Sequence, residues 1–103
     1  MNIETIRDMC NNGKTIWTIH VLRKLQERGI YRDDVYHAIN NGRIIEQYPD
    51  DYPYPSCLVS GTDLHNHPIH VVIGLGGTIL YLITAYLPDS VHFEEDNETR
   101  KEK

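Results

Sequence analysis

Cysteine is scarce in this chain, with only Cys10 and Cys57 among 103 residues. Two thiols cannot build a disulfide framework, and they lack the C-x-x-C spacing of zinc or redox sites. Both are read as reduced thiols packed as small hydrophobes. Long apolar runs are also missing. The longest, Ile79 to Leu87, is interrupted by Thr84 and falls well short of the roughly 20 residues of a membrane helix. The opening Met1-Asn2-Ile3-Glu4 has no basic stretch leading an apolar core, so it does not read as a signal peptide. These absences predict a cytoplasmic protein with no membrane partner. Repeats and low-complexity stretches are lacking as well.

Basic charge is in short supply overall, at ten Lys and Arg against fifteen Asp and Glu, a formal net of -5. Phosphate binding is driven by Lys and Arg, so this balance is not that of a general nucleic-acid binder. The distribution is uneven, however. Residues 89–103 hold six of the acids and three of the bases, which leaves residues 1–88 with a net of only -2. Between His20 and Arg32, four bases (Arg23, Lys24, Arg28, Arg32) face one acid, Glu27. A local basic patch on an acidic protein is the resulting expectation.

What is present is enough for one core and too short for two domains. The predicted organisation is a single α+β domain over residues 1–93 and a charged tail over 94–103. Ile3, Ile6 and Met9 or Cys10 recur at helical spacing, and Asn11-Asn12-Gly13 ends that helix. A second helix is expected from about Ile16 to Arg28, capped by Gly29. A third follows from about Arg32 to Asn41, with Asp33 and Asp34 at the positive end of its dipole. The period then becomes two. Strands are expected at Arg43–Tyr48, Ser56–Gly61, Ile69–Gly74 and Thr78–Tyr86, with a hairpin at Leu75-Gly76-Gly77. The proline-rich stretch Pro49–Pro55 must be a turn or surface loop, since proline donates no ladder hydrogen bond. The fold expected is therefore helices packed on one face of a roughly four-stranded antiparallel sheet. The last strand, apolar on both faces, belongs inside it, with Thr84 and Tyr86 sharing a face with Leu80 and Leu82.

Several groups carry potential chemistry. Gly74-Leu75-Gly76-Gly77 joins two strands rather than a strand and a helix, so it reads as a turn and not a phosphate loop. His65, His67 and His70 are too loosely spaced to be a zinc signature, and no metal site is assigned. The second helix presents His20, Arg23, Lys24 and Glu27 on its polar face, with Arg28 at the edge. The plain reading of that face is a solvated surface with weak pairs along the helix. The functional reading has it meet Glu46 and Tyr48 from the first strand and Thr84 and Tyr86 from the last, in a cleft at the sheet rim.

Particular residues also carry a family resemblance. The series His20, Arg28-Gly29-Ile30, Asp34-Val35, Ala38-Ile39, Asn41-Gly42 and Ile45-Glu46-Gln47-Tyr48-Pro49 is followed by Tyr54-Pro55-Ser56-Cys57-Leu58, His70-Val71-Val72 and Ile83-Thr84-Ala85-Tyr86-Leu87-Pro88. Over about Ile16 to Phe93 it resembles the bacterial domain-of-unknown-function family 4258. Members are similar in layout to RelE-like and BrnT-like toxins, a barnase-like arrangement, and often accompany a small zinc-finger antitoxin of the MqsA type. Ile83-Thr84-Ala85-Tyr86 resembles the Ile-Ser-Ala-Arg strand of BrnT-like toxins, with Tyr86 where they carry Arg.

The resemblance implies the toxin of a bacterial toxin–antitoxin system, a metal-independent ribonuclease of mRNA-interferase type acting on RNA without cofactor. In such a reaction the 2′-hydroxyl attacks the adjacent phosphate, which needs a base, an acid and a cation. The expected base is His20 or Glu46, and the second proton carrier His70 or Tyr86. Arg28 and Arg23 would stabilise the charge, and Lys24, Tyr48 and Thr84 would contact RNA. The competing expectation is a non-catalytic interaction module of the same fold, in which His20, Glu46 and Tyr86 form a structural polar network.

Overall fold

The structure, a computed structural model, describes residues 1–89, 96 and 98–100. Along the chain come α1 (Ile3–Asn11), β1 (Thr15–Ile16), α2 (Ile19–Glu27) and α3 (Arg32–Asn41). The strands β2 (Arg43–Tyr48), β3 (Ser56–Thr62), β4 (Pro68–Gly76) and β5 (Ile79–Tyr86) follow. The expected α+β class, with helices first, is what the chain adopts. The sheet, however, is five-stranded and mixed, in the order β1-β5-β4-β3-β2. The extra strand is β1, two residues long and parallel to β5 through Thr15–Leu80 and Ile16–Tyr81.

That strand also moves the start of α2. The helix begins at Ile19 and not Ile16, because Thr18 is extended and its hydroxyl accepts the Val21 N–H at 3.1 Å as N-cap. Trp17 instead packs on α3. Its indole N–H donates to the Tyr36 hydroxyl at 3.0 Å, and the two rings meet edge to face. At the start of α3 the buried Asp34 carboxylate accepts the Tyr31 N–H at 3.0 Å and the Leu64 N–H at 3.1 Å. At its other end Arg7 of α1 donates to the carbonyls of Ile39 and Gly42 at 3.0 and 2.7 Å, a cation on the negative end of the helix dipole.

The three helices cover one face of the sheet. Val21, Leu25, Val35, Ala38 and Ile39 pack there against Val59, Val71, Ile73, Leu80, Leu82 and Ala85. The contact of α3 with β3 is close enough to require glycine. A Cβ at Gly61 would lie 2.2 Å from the Ala38 carbonyl oxygen. The β4–β5 hairpin turns at Gly77-Thr78, with Gly77 at φ +64°.

Two β-bulges decide which side chains face away from the helices. In β2, Ile44 pairs with Val59 and Glu46 with Leu58, leaving Ile45 as the extra residue. Arg43 and Glu46, which strict alternation would put on opposite faces, therefore share the helix-free face. In β5, Val72 pairs with Thr84 and Ile73 with Leu82, leaving Ile83 extra. Thr84 and Tyr86 are thereby separated from Leu80 and Leu82, correcting the alternation expected for that strand. No helix among the described residues is long and apolar enough to cross a membrane. The expected boundary between domain and tail at residues 93 and 94 lies outside the described residues.

Candidate functional site

The helix-free face carries rows of side chains set by the strand register. One row runs Arg43–Ser60–His70–Tyr86 and the next Glu46–Leu58–Val72–Thr84. Strands lie about 4.8 Å apart, so the two ends of a row are roughly 14 Å apart. His70 is fully buried, and its Nδ1 lies 3.4 Å from the Tyr86 hydroxyl, the rings edge to face. The Tyr48 hydroxyl donates to the Glu46 carboxylate.

A residue from the far C-terminal segment completes the cluster. Arg100 donates to both Glu46 carboxylate oxygens, at 2.5 and 3.0 Å. Its neighbour Glu98 accepts a second fork from Arg43, at 2.8 Å on each oxygen. The guanidinium of Arg100, joined by the Tyr48 hydroxyl, holds the Glu46 carboxyl below its usual range despite partial desolvation. Desolvation pushes the Tyr86 phenol up, as it does that of Tyr48, whose bond to Glu46 acts the same way. Near neutral pH the face thus offers an ionised carboxylate, two protonated phenols, an imidazole and two guanidiniums.

The residues expected to act together separate into two groups. Glu46, Tyr48, His70 and Tyr86 share the helix-free face, with Thr84 at its edge. His20, Arg23 and Lys24 lie on the exposed side of α2, which packs on the opposite face through Val21 and Leu25. The sheet stands between the two groups. Among the described residues Lys24 makes only the weak pair with Glu27, at 3.7 Å. Arg28 ends α2 and reaches the margin of β5, where Nη1 donates to the Thr84 hydroxyl at 2.9 Å and to the Ala85 carbonyl at 2.8 Å. Its position is that of a brace between helix and sheet.

His65 and His67 are exposed in the β3–β4 loop, where His67 faces Asp63 at 3.4 Å, while His70 is buried inside β4. The three imidazoles do not converge. Cys10 and Cys57 are buried free thiols, each pushed up to about 11 by desolvation. Arg43, Glu98 and Arg100 are the members of the cluster that sequence reasoning missed, the last two because they sit in an acidic segment. The available signal was charge order: Glu98 and Arg100 repeat, with signs reversed, the Arg43 and Glu46 they meet.

The family model described as Domain of unknown function (DUF4258) matches residues 17–87. No curated protein and no solved structure matches the chain. The matched span includes β2 to β5, and hence Arg43, Glu46, Tyr48, His70, Thr84 and Tyr86, but not Arg100.

Proposed function

The chain belongs to that family of unknown function, and we propose that it is a metal-independent ribonuclease of toxin type working on the helix-free face of its sheet. The observation that supports this reading is the gathering of Glu46, His70, Tyr48, Tyr86 and Arg100 on one face from three strands and the C-terminal segment. Cleavage by the neighbouring 2′-hydroxyl requires those classes of group. O2′ bonds to phosphorus, the P–O5′ bond breaks, and a 2′,3′-cyclic phosphate and a 5′-hydroxyl result. Glu46 takes the proton from O2′, and the half-buried Tyr86, backed by the fully buried His70, delivers one to O5′. Arg100 neutralises the charge growing on the phosphate oxygens.

Arg100 is engaged by Glu46 in the structure. Substrate phosphate has to draw that guanidinium away, which in turn releases the carboxylate to act as base. Binding and activation of the base are then one event. The partner in this reading, besides RNA, is a small zinc-finger antitoxin, and the setting is the cytoplasm.

The test is incubation of the purified chain with a fluorogenic RNA in the presence of chelator. Cleavage to cyclic-phosphate ends is expected, and Glu46→Gln should slow it by about 10²–10⁴-fold, the usual contribution of a general base. RNA left intact with and without ribosomes, together with normal growth on expression, would refute the proposal.

A second reading has an observation of its own. His70 is 0% exposed, as expected of a structural polar network in a non-catalytic interaction module. In that case Glu46→Gln lowers the melting temperature and no RNA is cleaved by either form.

A further inference from the structure

Next to the polar cluster, on the same face, the chain builds a small aromatic cleft. It has a volume of about 280 Å³ and is lined by Asp51, Tyr52, Pro53, Tyr54, Tyr81 and Ile83 over a floor at Gly74. We propose that this cleft is a subsite for a single nucleobase of a bound RNA strand, a reading that rests on the ribonuclease proposal.

The walls are suited to a flat ring. Tyr54 and Tyr81 are stacked, with centroids 5.0 Å apart and planes 10° from parallel, so together they make one rigid aromatic slab. Glycine makes that slab possible. A Cβ at Gly76 would come within 2.8 Å of ring carbons of both tyrosines. Tyr52 is 94% exposed, an aromatic ring held in solvent at the mouth of the cleft. Base stacking on such rings is sequence-tolerant, because every base has a π-face.

Size and position narrow the occupant. Sites for drug-sized ligands run from roughly 300 to 1,000 Å³, and this cleft of about 280 Å³ lies just under that range, a size suited to one flat ring system. Gly74 pairs with Tyr81 and lies four residues along β4 from His70, about 13 Å at the rise of a strand. Neighbouring nucleotides of one strand can occupy the cleft and the polar cluster together. At the rim, Asp51 accepts the Ser56 hydroxyl at 2.6 Å. A carboxylate has acceptor capacity beyond one hydroxyl, so the cleft favours bases with an exocyclic amine.

The experiment is a titration of the isotope-labelled full chain with AMP, GMP, CMP and UMP, followed by NMR, with ribose 5-phosphate as the base-free control. The four nucleotides should shift the amide signals of Asp51, Tyr52, Tyr54, Gly74 and Tyr81, UMP the most weakly, and ribose 5-phosphate should not. Tyr52→Ala, at an exposed ring, should weaken binding about tenfold without altering the fold. If no nucleotide moves those signals, or the base-free control moves them equally, the proposal is overturned; a cleft that receives an apolar side chain of a partner protein gives that silent result. The outcome is separable from the ribonuclease assay. RNA cleavage without nucleotide shifts removes the base subsite alone. Nucleotide shifts without cleavage remove the ribonuclease reading and leave the subsite standing.

Discussion

Replacing Arg28 by alanine tests whether this residue acts through the fold. Its guanidinium donates to Thr84 Oγ1 at 2.9 Å and to the Ala85 carbonyl at 2.8 Å, both from Nη1. β1 pairs with β5 only at Leu80 and Tyr81, so Arg28 meets the β5 margin where that pairing has ended. Hydrogen bonds from charged donors contribute about 1.5–3 kcal/mol each where partly buried. Here both share one nitrogen, Arg28 is exposed, and water can replace it at the carbonyl. A combined loss of about 1–2 kcal/mol is therefore expected for Arg28→Ala. For a domain of this size that corresponds to a fall in melting temperature of roughly 5–15 °C, read by circular dichroism. Pairing the change with Thr84→Val in a double-mutant cycle should show a coupling of at least about 0.5 kcal/mol. A melting temperature within about 2 °C of the parent, or a cycle that closes to zero, would refute the reasoning. Loss of RNA cleavage at unchanged stability would then place Arg28 in the chemistry.

Other consequences can be checked independently. Gly61→Ala should cost at least about 1–3 kcal/mol, because its Cβ meets α3 backbone that cannot turn aside; a denaturant midpoint equal to the parent's contradicts the close approach. Glu46 and Glu98 are both held below the usual glutamate value of 4.5 by their arginine partners. Folded values depressed in this way stabilise the chain above that value, and the contribution is lost as pH falls through the lowered ones. Melting temperature should therefore drop below about pH 4.5, and less steeply in Glu46→Gln; parallel profiles for the two proteins argue against it. Cys10 and Cys57, both pushed up to about 11 by burial, should resist a thiol reagent in the native protein and react once it is unfolded. Rapid native labelling of either would contradict that burial.

The legible parts of the fold were those set by local signals. The bounds of α3 and β2 follow from the acids Asp33 and Asp34 at the positive end of the helix and a change of period after Gly42, and both elements span the expected residues. The start of α2 was hidden, because Trp17 lies four residues before Val21 and mimics a helical stripe. What pulls Thr15 and Ile16 out of the helix is pairing with Leu80 and Tyr81, a contact across more than sixty residues that no local pattern encodes. The face assignments in β5 failed for a related reason. A bulge at Ile83 shifts the phase of alternation, and nothing in a run that is apolar on both faces marks the extra residue.

The division of the expected site has a more general cause. His20, Arg23 and Lys24 lie opposite the apolar stripe of α2. A helix that buries that stripe on a sheet must hold its polar face away from the sheet, across a helix diameter of about 10 Å. Polar groups on the second face of the sheet are a further layer away. His20, Arg23 and Lys24 could therefore meet His70 only around an edge, and the residue that does approach an edge is Arg28, beyond the last turn of α2. Cations for the helix-free face have to come from the strands themselves or from a segment crossing that face. Arg43 and Arg100 meet those two conditions. The acidic C-terminal segment, whose charge argued against a nucleic-acid partner, is thus where one cation of the candidate site resides. Its carboxylate Glu98 occupies the guanidinium fork of Arg43, the same bidentate geometry in which arginine receives phosphate.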